Sequence, residues 1–344
     1  MSLLARPRVA LAGLGLAVLA AGLLTPIARA DDPRPVYIAL GDSYTAAPLI
    51  SKPVGEWGGE GNGYSNPDDP YTCGRSDRNY PHLIARHLGL YDPDDIANEI
   101  GEHPEHPGFI DISCGSAKTE DMEAPQDGLP GGGHNRAQFD AFGPDFVDPE
   151  HEVVTLVTLG IGGNDLGFGE LSDKCVQAPH MPGGRPCHEY YENAGAGGGD
   201  LLRDRLAQLA LDLGGVLDGI GVRAPEAEVL VFGYPALLPE YQDGCYPYIP
   251  ILPEDAAYLR EVEKDLNRTI RVVAEARGAH YVDWYSPSIG HDMCQPPGVA
   301  WVNGIVLAPP SYPVHPNLLG TQGAANAGIG VLEAIDFDFG ATST

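Results

Sequence analysis

The apolar run from Val36 to Leu40 stops abruptly at Gly41-Asp42-Ser43. An apolar, partly β-branched run that a glycine ends is typical of a buried strand. The polar residues just past such a strand lie at the edge of a sheet, and in an open α/β sheet ligands bind at that edge. Ser43 is therefore a candidate functional residue, provided that complementary groups follow elsewhere in the chain.

Further short apolar runs along the chain predict the fold class. Further strands are predicted at 109–115, 153–159, 228–234 and 279–284, and helices at 80–90, after Asp200 and at 253–277. Strands that alternate with helices in this way indicate a parallel sheet covered on both faces. We expect one α/β domain over 31–344, a three-layer α/β/α sandwich with a central parallel sheet. The stretches 46–79 and 172–199 are predicted as loops. The segment 316–335 has the position of a helix, but its glycines weaken the helical prediction.

The first thirty residues have the organisation of a signal peptide. Arg6 and Arg8 precede an apolar run of about 16 residues, and the small-x-small pattern of Ala28 and Ala30 follows. A retained membrane anchor is disfavoured because a span needs about 20 apolar residues. We expect cleavage near Ala30, secretion, and no stable membrane anchor.

Charge and cysteine content narrow the classes of partner. The formal charge of −28 disfavours nucleic acid as a partner, because phosphate contacts need basic surfaces. Six cysteines follow the signal peptide, and an even number in an exported chain indicates disulfides whose pairing the sequence leaves open. We expect neither a metal nor a cofactor: the acidic run 92–95 lacks calcium-loop spacing, and His103 and His106 lack further ligands.

A serine hydroxyl needs a base to become a nucleophile, and His315 is the candidate by its position. Four short motifs occur in order along the chain: Gly41-Asp42-Ser43, Gly115, Gly162-Gly163-Asn164-Asp165 and Val314-His315-Pro316-Asn317. In this order they resemble the four blocks of the SGNH (GDSL-type) hydrolase family, in particular its secreted actinobacterial lipases and esterases. No Gly-x-Ser-x-Gly elbow is present, which disfavours the α/β-hydrolase fold.

The resemblance implies a flavodoxin-like fold and a secreted esterase or lipase, acting as a monomer on a small-molecule or lipid ester. Ser43 would be the nucleophile and His315 the base, with an oxyanion hole formed by the N–H groups of Ser43 and Gly115 and the amide of Asn164. Asp42 is expected to be structural. The disulfides that the resemblance implies are Cys73–Cys114, Cys175–Cys187 and Cys245–Cys294.

One position departs from the family pattern, because Tyr312 stands where an aspartate usually precedes the histidine by three residues. We expect the Tyr312 carbonyl to accept the Nδ1–H of His315, giving a Ser-His dyad. The alternative is that Asp283 or Asp292 completes a triad.

The substrate is less constrained than the reaction. Phospholipase and carbohydrate acetylesterase activities are alternatives within the family, and a non-catalytic ligand-binding protein is an alternative of another class. Apolar and aromatic loop residues are candidates for an acyl-chain pocket or for simple packing of the loops: Trp57, Tyr64, Tyr246, Tyr248, Ile249, Ile251 and Trp301.

Overall fold

The computed structural model describes residues 33–51, 73–90, 108–129, 133–177, 181, 183–241, 244, 249–305 and 311–339. The chain separates into two compact units, Met1–Asp32 and Pro33–Thr344. The first unit contains the predicted signal peptide and lies outside the described residues. The acidic run 92–95, the histidines at 103 and 106, and Trp57 and Tyr64 also lie outside them.

A five-stranded parallel sheet forms the centre of the second unit, in the order β2-β1-β5-β6-β7. All five strands were predicted, with ends that differ by a few residues. A short antiparallel pair, β3 and β4, was not predicted. The strands are β1 Arg34–Gly41, β2 Phe109–Asp111, β3 Gln126–Leu129, β4 Gly133–Asn135, β5 Glu152–Gly160, β6 Glu228–Phe232 and β7 His280–Val282.

Helices cover the sheet and give the predicted α/β/α sandwich. α5 packs against α6, and α2 packs against α8. The side chain of Asp200 caps α5, as predicted, by accepting the N–H groups of Leu202 and Arg203. The helices are α1 Ser43–Ala46, α2 Tyr80–His87, α3 Phe168–Leu171, α4 Cys187–Tyr191, α5 Leu201–Arg223, α6 Pro253–Glu275, α7 Tyr285–Ser288 and α8 Leu318–Ala334.

Two predictions about irregular segments need correction. The stretch 172–199 is not a plain loop, because it contains a π-helical turn, Ser172–Gln177, and α4. α8 forms despite its glycines, because two of them make room for a neighbour: a Cβ at Gly323 would collide with the Trp301 ring, and one at Gly328 with Phe232. Within the described residues, no helix combines the length and apolar character of a membrane span.

The strand order places a crevice at one edge of the sheet. The chain places β2 on one side of β1 and β5 on the other, which is the flavodoxin-like order. Ligands bind in such sheets outside the carboxyl ends of the strands, where this order reverses. β1 and β5 end together there, with Gly41 paired to Gly160, and Ser43 follows directly.

Two disulfides join the pairs that the family resemblance implied. Cys73 is bonded to Cys114 across 41 positions, and Cys175 to Cys187 across 12. Cys294 is also disulfide-bonded, and its expected partner Cys245 lies outside the described residues. The first bond brings the segment after the serine turn beside Gly115, because the Cys73 carbonyl accepts the Gly115 N–H at 2.9 Å.

The longer loop closed by Cys73–Cys114 predicts the larger effect on stability. Replacing both cysteines by serine should lower the free energy of unfolding by about 4 kcal/mol, against about 3 kcal/mol for the Cys175–Cys187 pair, from loop-closure entropy alone. Urea denaturation of the two double variants tests this order. A smaller loss from the Cys73–Cys114 variant than from the other would contradict it.

Candidate active site

Ser43 is the first residue of α1, immediately beyond the carboxyl end of β1. Asp42 caps this helix, since its Oδ1 accepts the N–H of Tyr44 at 2.8 Å. The predicted structural role of Asp42 is confirmed by this contact. The turn leaves the Ser43 side chain at the sheet edge, where it lines a cavity.

The histidine predicted from the far end of the chain lies next to this serine. His315 Nε2 is 2.8 Å from Ser43 Oγ, although 272 positions separate the two residues. On the other side of the ring, Nδ1 is 2.8 Å from the carbonyl oxygen of Pro313. Because a carbonyl oxygen only accepts, Nδ1 carries the proton and Nε2 is left to accept the serine hydroxyl.

The expectation that Tyr312 supplies this carbonyl was wrong by one residue. The Tyr312 carbonyl instead accepts the backbone N–H of His315 at 3.2 Å. Val314 has a positive φ of 60°, which folds the imidazole back over Pro313 instead. Neither carboxylate considered as a third member contacts the ring: Asp283 accepts from Ser286, and Asp292 from Cys294.

Burial sets the protonation of His315. The residue is 5% exposed, and desolvation lowers its pKa to about 4, partly opposed by the hydrogen bond to Pro313. The imidazole is therefore neutral at neutral pH, the form that accepts a proton from a hydroxyl. No carboxylate is needed to hold that form.

Tyr44 connects the serine turn to the histidine loop. Its hydroxyl donates to the Val314 carbonyl at 2.7 Å, and its ring lies 5.1 Å from the His315 ring between centroids. Phe168 approaches both rings edge-on at 5.9 Å. The residue after the nucleophile thus fixes the base, a role that no sequence pattern suggested.

Two of the three predicted oxyanion donors are available in the site. Among the described residues, no acceptor takes the N–H of Ser43. One Nδ2 hydrogen of Asn164 is donated to the Ala117 carbonyl at 2.9 Å, which leaves the second free. Gly115 differs from the prediction, because its N–H is donated to Cys73, to which the adjacent disulfide brings it close.

The sequence analysis missed a tyrosine that joins two turns. One is the turn at residues 41–43 (the serine turn), and the other is the turn at residues 162–165 (the asparagine turn). The Tyr234 hydroxyl donates to Asp42 Oδ2 at 2.5 Å and accepts the N–H of Gly163 at 2.8 Å. Asn267 holds the backbone of Tyr234 through both its N–H and its carbonyl. Burial raises the pKa of Asp42 to about 7, and the hydrogen bond from Tyr234 opposes this rise.

An apolar cavity of about 120 Å³ opens beside Ser43 and Asn164. Ile249 and Ile251 line it, which is one of the two alternatives considered for them, whereas Trp301 stacks on His291 and does not line it. Tyr246 and Tyr248 lie outside the described residues. Most of the wall was not anticipated: Leu166, Phe168, Leu171, Val176, Leu237, Leu238, Leu259, Val262, Leu266, Met293 and Val314.

Comparison with known families agrees with this geometry. The model of the GDSL-like Lipase/Acylhydrolase family matches residues 39–322, which include the serine turn, the asparagine turn and the histidine loop. The chain belongs to this family. Lipase 2 of Streptomyces coelicolor is 33% identical to this chain over 303 residues, which cover 86% of this chain and 85% of the relative.

Other relatives and solved structures share less sequence identity with this chain. An esterase of Streptomyces scabiei is 29% identical and covers 76% of this chain and 73% of its own. Phospholipase A1 from Streptomyces albidoflavus has a similar fold, with a TM-score of 0.60 at 21% identity, over 87% of this chain and 99% of its own. The extracellular lipase of Streptomyces rimosus has a similar fold, with a TM-score of 0.57 at 23% identity, over 86% of this chain and 99% of its own. As a member of the GDSL-like family, the chain is a carboxylic ester hydrolase.

The buried imidazole predicts the acid limb of the pH profile. Because His315 must be neutral to act as a base and its pKa is lowered to about 4, kcat/KM should fall only as the pH drops toward 4, not near 6.5. The measurement is kcat/KM between pH 3.5 and 8, with circular dichroism at each pH to exclude unfolding. The limb should persist in Asp42→Asn, and a limb near 6.5 in both proteins would contradict the prediction.

Because the Tyr234 hydroxyl bonds both Asp42 and Gly163, we expect its removal to reduce turnover more than substrate binding. Tyr234→Phe leaves the Asp42 carboxylate and the Gly163 N–H without this partner, which should cost about 2 kcal/mol of stability. We expect kcat to fall about tenfold with little change in KM, because the two turns lose their common support. Tyr258→Phe is the matched control, since that hydroxyl bonds Asp200 at the start of α5. Equal effects of the two variants on kcat would contradict the prediction.

Proposed function

We propose that this chain is an exported serine esterase that hydrolyses esters of apolar acyl groups through an acyl-enzyme on Ser43. The observation that carries the proposal is the 2.8 Å contact between His315 Nε2 and Ser43 Oγ at the mouth of an apolar cavity. A hydroxyl activated by a base is the requirement for acyl transfer, and an apolar cavity is the feature that accepts a hydrocarbon chain.

In the proposed first step, Ser43 Oγ attacks the ester carbonyl while His315 Nε2 takes the hydroxyl proton. The negative charge on the carbonyl oxygen is stabilised by the Ser43 N–H and the free Nδ2–H of Asn164, and each such donor is typically worth about 100-fold in rate or more. Collapse breaks the ester C–O bond, and the imidazolium returns its proton to the leaving alcohol. Water then attacks the acyl-enzyme with His315 again as base, which releases the acid and restores Ser43.

In the proposed dyad, the Pro313 carbonyl orients the imidazole of His315, as an aspartate does in a triad. By accepting the Nδ1–H it selects the tautomer whose Nε2 faces the serine. A carbonyl carries no full charge, so it stabilises the imidazolium less than a carboxylate would. Among the described residues, no charged group opposes the desolvation that lowers the pKa of His315.

The cavity favours short or medium acyl chains over acetate. Its volume is about 120 Å³, somewhat below the roughly 150 Å³ of a cavity that holds benzene. Because benzene has six carbons, we expect the cavity to hold an acyl chain of about six carbons. An acetyl group would leave most of this apolar wall without contacts, which argues against a carbohydrate acetylesterase. Export is supported by the sequence pattern of residues 1–30 and by the disulfides.

Labelling with a fluorophosphonate tests the chemistry. The wild-type chain should be labelled stoichiometrically at one site, Ser43→Ala should not be labelled, and His315→Ala should be labelled at least 1,000-fold more slowly, an order of magnitude taken from other serine hydrolases. Ser286→Ala, whose hydroxyl bonds Asp283, is the control and should react like the wild type. A wild-type chain that takes no label would instead support a non-catalytic binding protein.

Comparing p-nitrophenyl esters tests the substrate class. From acetate to about hexanoate, kcat/KM should rise at each added methylene, because each buried CH₂ contributes up to about 0.8 kcal/mol. Beyond the length that the cavity holds, the rise should stop. A maximum at acetate would contradict the proposal and favour the acetylesterase alternative.

A further inference from the structure

Glu263 introduces a carboxyl group into the wall of the apolar cavity. It lies on α6 between residues that line the same cavity, Val262 and Leu266, and it is 8% exposed. Its Oε1 accepts the N–H of Leu237 at 3.0 Å. Its Oε2 is buried and has no hydrogen-bond partner among the described residues.

An unpartnered buried carboxyl oxygen is costly, and native chains rarely keep one without a use. Leucine or methionine would fill the same wall at lower cost, and a single acceptor for Leu237 does not need a carboxyl. Lys264, the adjacent cation, does not neutralise the group by a salt bridge, because it pairs with Glu240 and Glu261. The unpartnered Oε2 of Glu263 is therefore a candidate contact for a ligand in the cavity.

The chemical state of the group indicates which ligand it suits. Burial raises the pKa of Glu263 well above its usual range, which favours the neutral acid over the carboxylate. In that neutral form, with Oε1 engaged as an acceptor, Oε2 carries the proton and is a hydrogen-bond donor in the wall of an otherwise apolar cavity. A neutral carboxylic acid used as a donor in an apolar site has precedent among enzymes.

We propose that Glu263 is a specificity-determining residue that donates a hydrogen bond from Oε2 to an oxygen atom carried by the acyl chain. The preferred substrates are then esters of oxygenated acids, with a hydroxyl, keto or ether oxygen, in place of plain hydrocarbon acids. The inference rests on the proposed function, since it requires the acyl chain to occupy the cavity. The size of the cavity places that oxygen within about the first six carbons.

Discrimination follows from the cost of leaving the donor unpaired. A hydrocarbon chain would bury the Oε2–H against methylenes, whereas an ether or keto oxygen at the same depth would accept it. A pure hydrocarbon therefore gains apolar burial but leaves the buried donor unpaired. An oxygenated chain of equal length avoids that loss.

The first experiment uses the wild-type protein alone. Hydrolysis of p-nitrophenyl heptanoate is compared with that of analogues in which one methylene is replaced by an ether oxygen at successive positions from carbon 4 to carbon 6. Each kcat/KM is divided by the alkaline hydrolysis rate of the same ester, which removes differences in intrinsic reactivity. We expect one position to exceed the parent ester about tenfold. If no position exceeds the parent, the inference is overturned.

Three variants assign the preference to Glu263. Glu263→Gln keeps an acceptor for Leu237 and presents an N–H donor, so it should keep the preference. Glu263→Met presents no donor, so the ratio of oxygenated to parent ester should fall to about one. Glu261→Met, at an exposed position on the same helix, is the matched control and should keep the wild-type ratio. A ratio in Glu263→Met equal to that of the wild type would overturn the inference.

Titration of active sites with a fluorophosphonate separates the possible failures. If Ser43 takes no label and neither ester is hydrolysed, the proposed function fails and the inference fails with it. If Ser43 is labelled and both esters are hydrolysed at equal normalised rates, only the inference on Glu263 fails. Because the wild-type series needs no substitution, a misfolded Glu263→Met leaves the first test intact.

Discussion

The close approach of β1 and β5 at Gly41 is the constraint on which the site depends. A Cβ at this position would collide with Thr45 and with the Gly160 carbonyl, so only glycine allows the two strand ends to meet. The side-chain amide of Gln138 bonds both the N–H and the carbonyl of Gly41 at 2.8 Å, and the Asp42 N–H donates to Gly160. The position of the turn that carries Ser43 is therefore fixed by contacts other than the one between Ser43 and His315.

The fold was predictable because its signals are local. Short apolar runs identified all five strands of the main sheet, three of these runs ending in a glycine or leading directly into one, and one aspartate identified the start of α5. The serine and the histidine were predictable for the same reason, since each stands in a short motif with a chemical purpose. The order of the strands, and with it the meeting of residues 272 positions apart, followed from the family resemblance and not from periodicity.

The details that failed depend on contacts between distant segments. The Tyr312 prediction was wrong because the backbone of Val314 reverses, and one sequence without that dihedral cannot distinguish two neighbouring carbonyls. The Gly115 prediction did not anticipate that Cys73 would use its N–H. Tyr234 and Glu263 lie on a predicted strand end and a predicted helix, where any sequence pattern assigns them to ordinary structure. Their importance arises from what faces them across the fold.

Val314 gives the histidine loop a consequence beyond its shape. A β-branched residue at φ 60° holds about 1–3 kcal/mol of backbone strain, and the Tyr44 hydroxyl on its carbonyl opposes relaxation. The orientation of the His315 imidazole thus depends on a strained backbone at Val314, which the hydrogen bond from Tyr44 holds in place. A chain that lost this hydrogen bond would keep its sheet and its helices, yet the imidazole would move away from Ser43, and a folded protein without turnover would result.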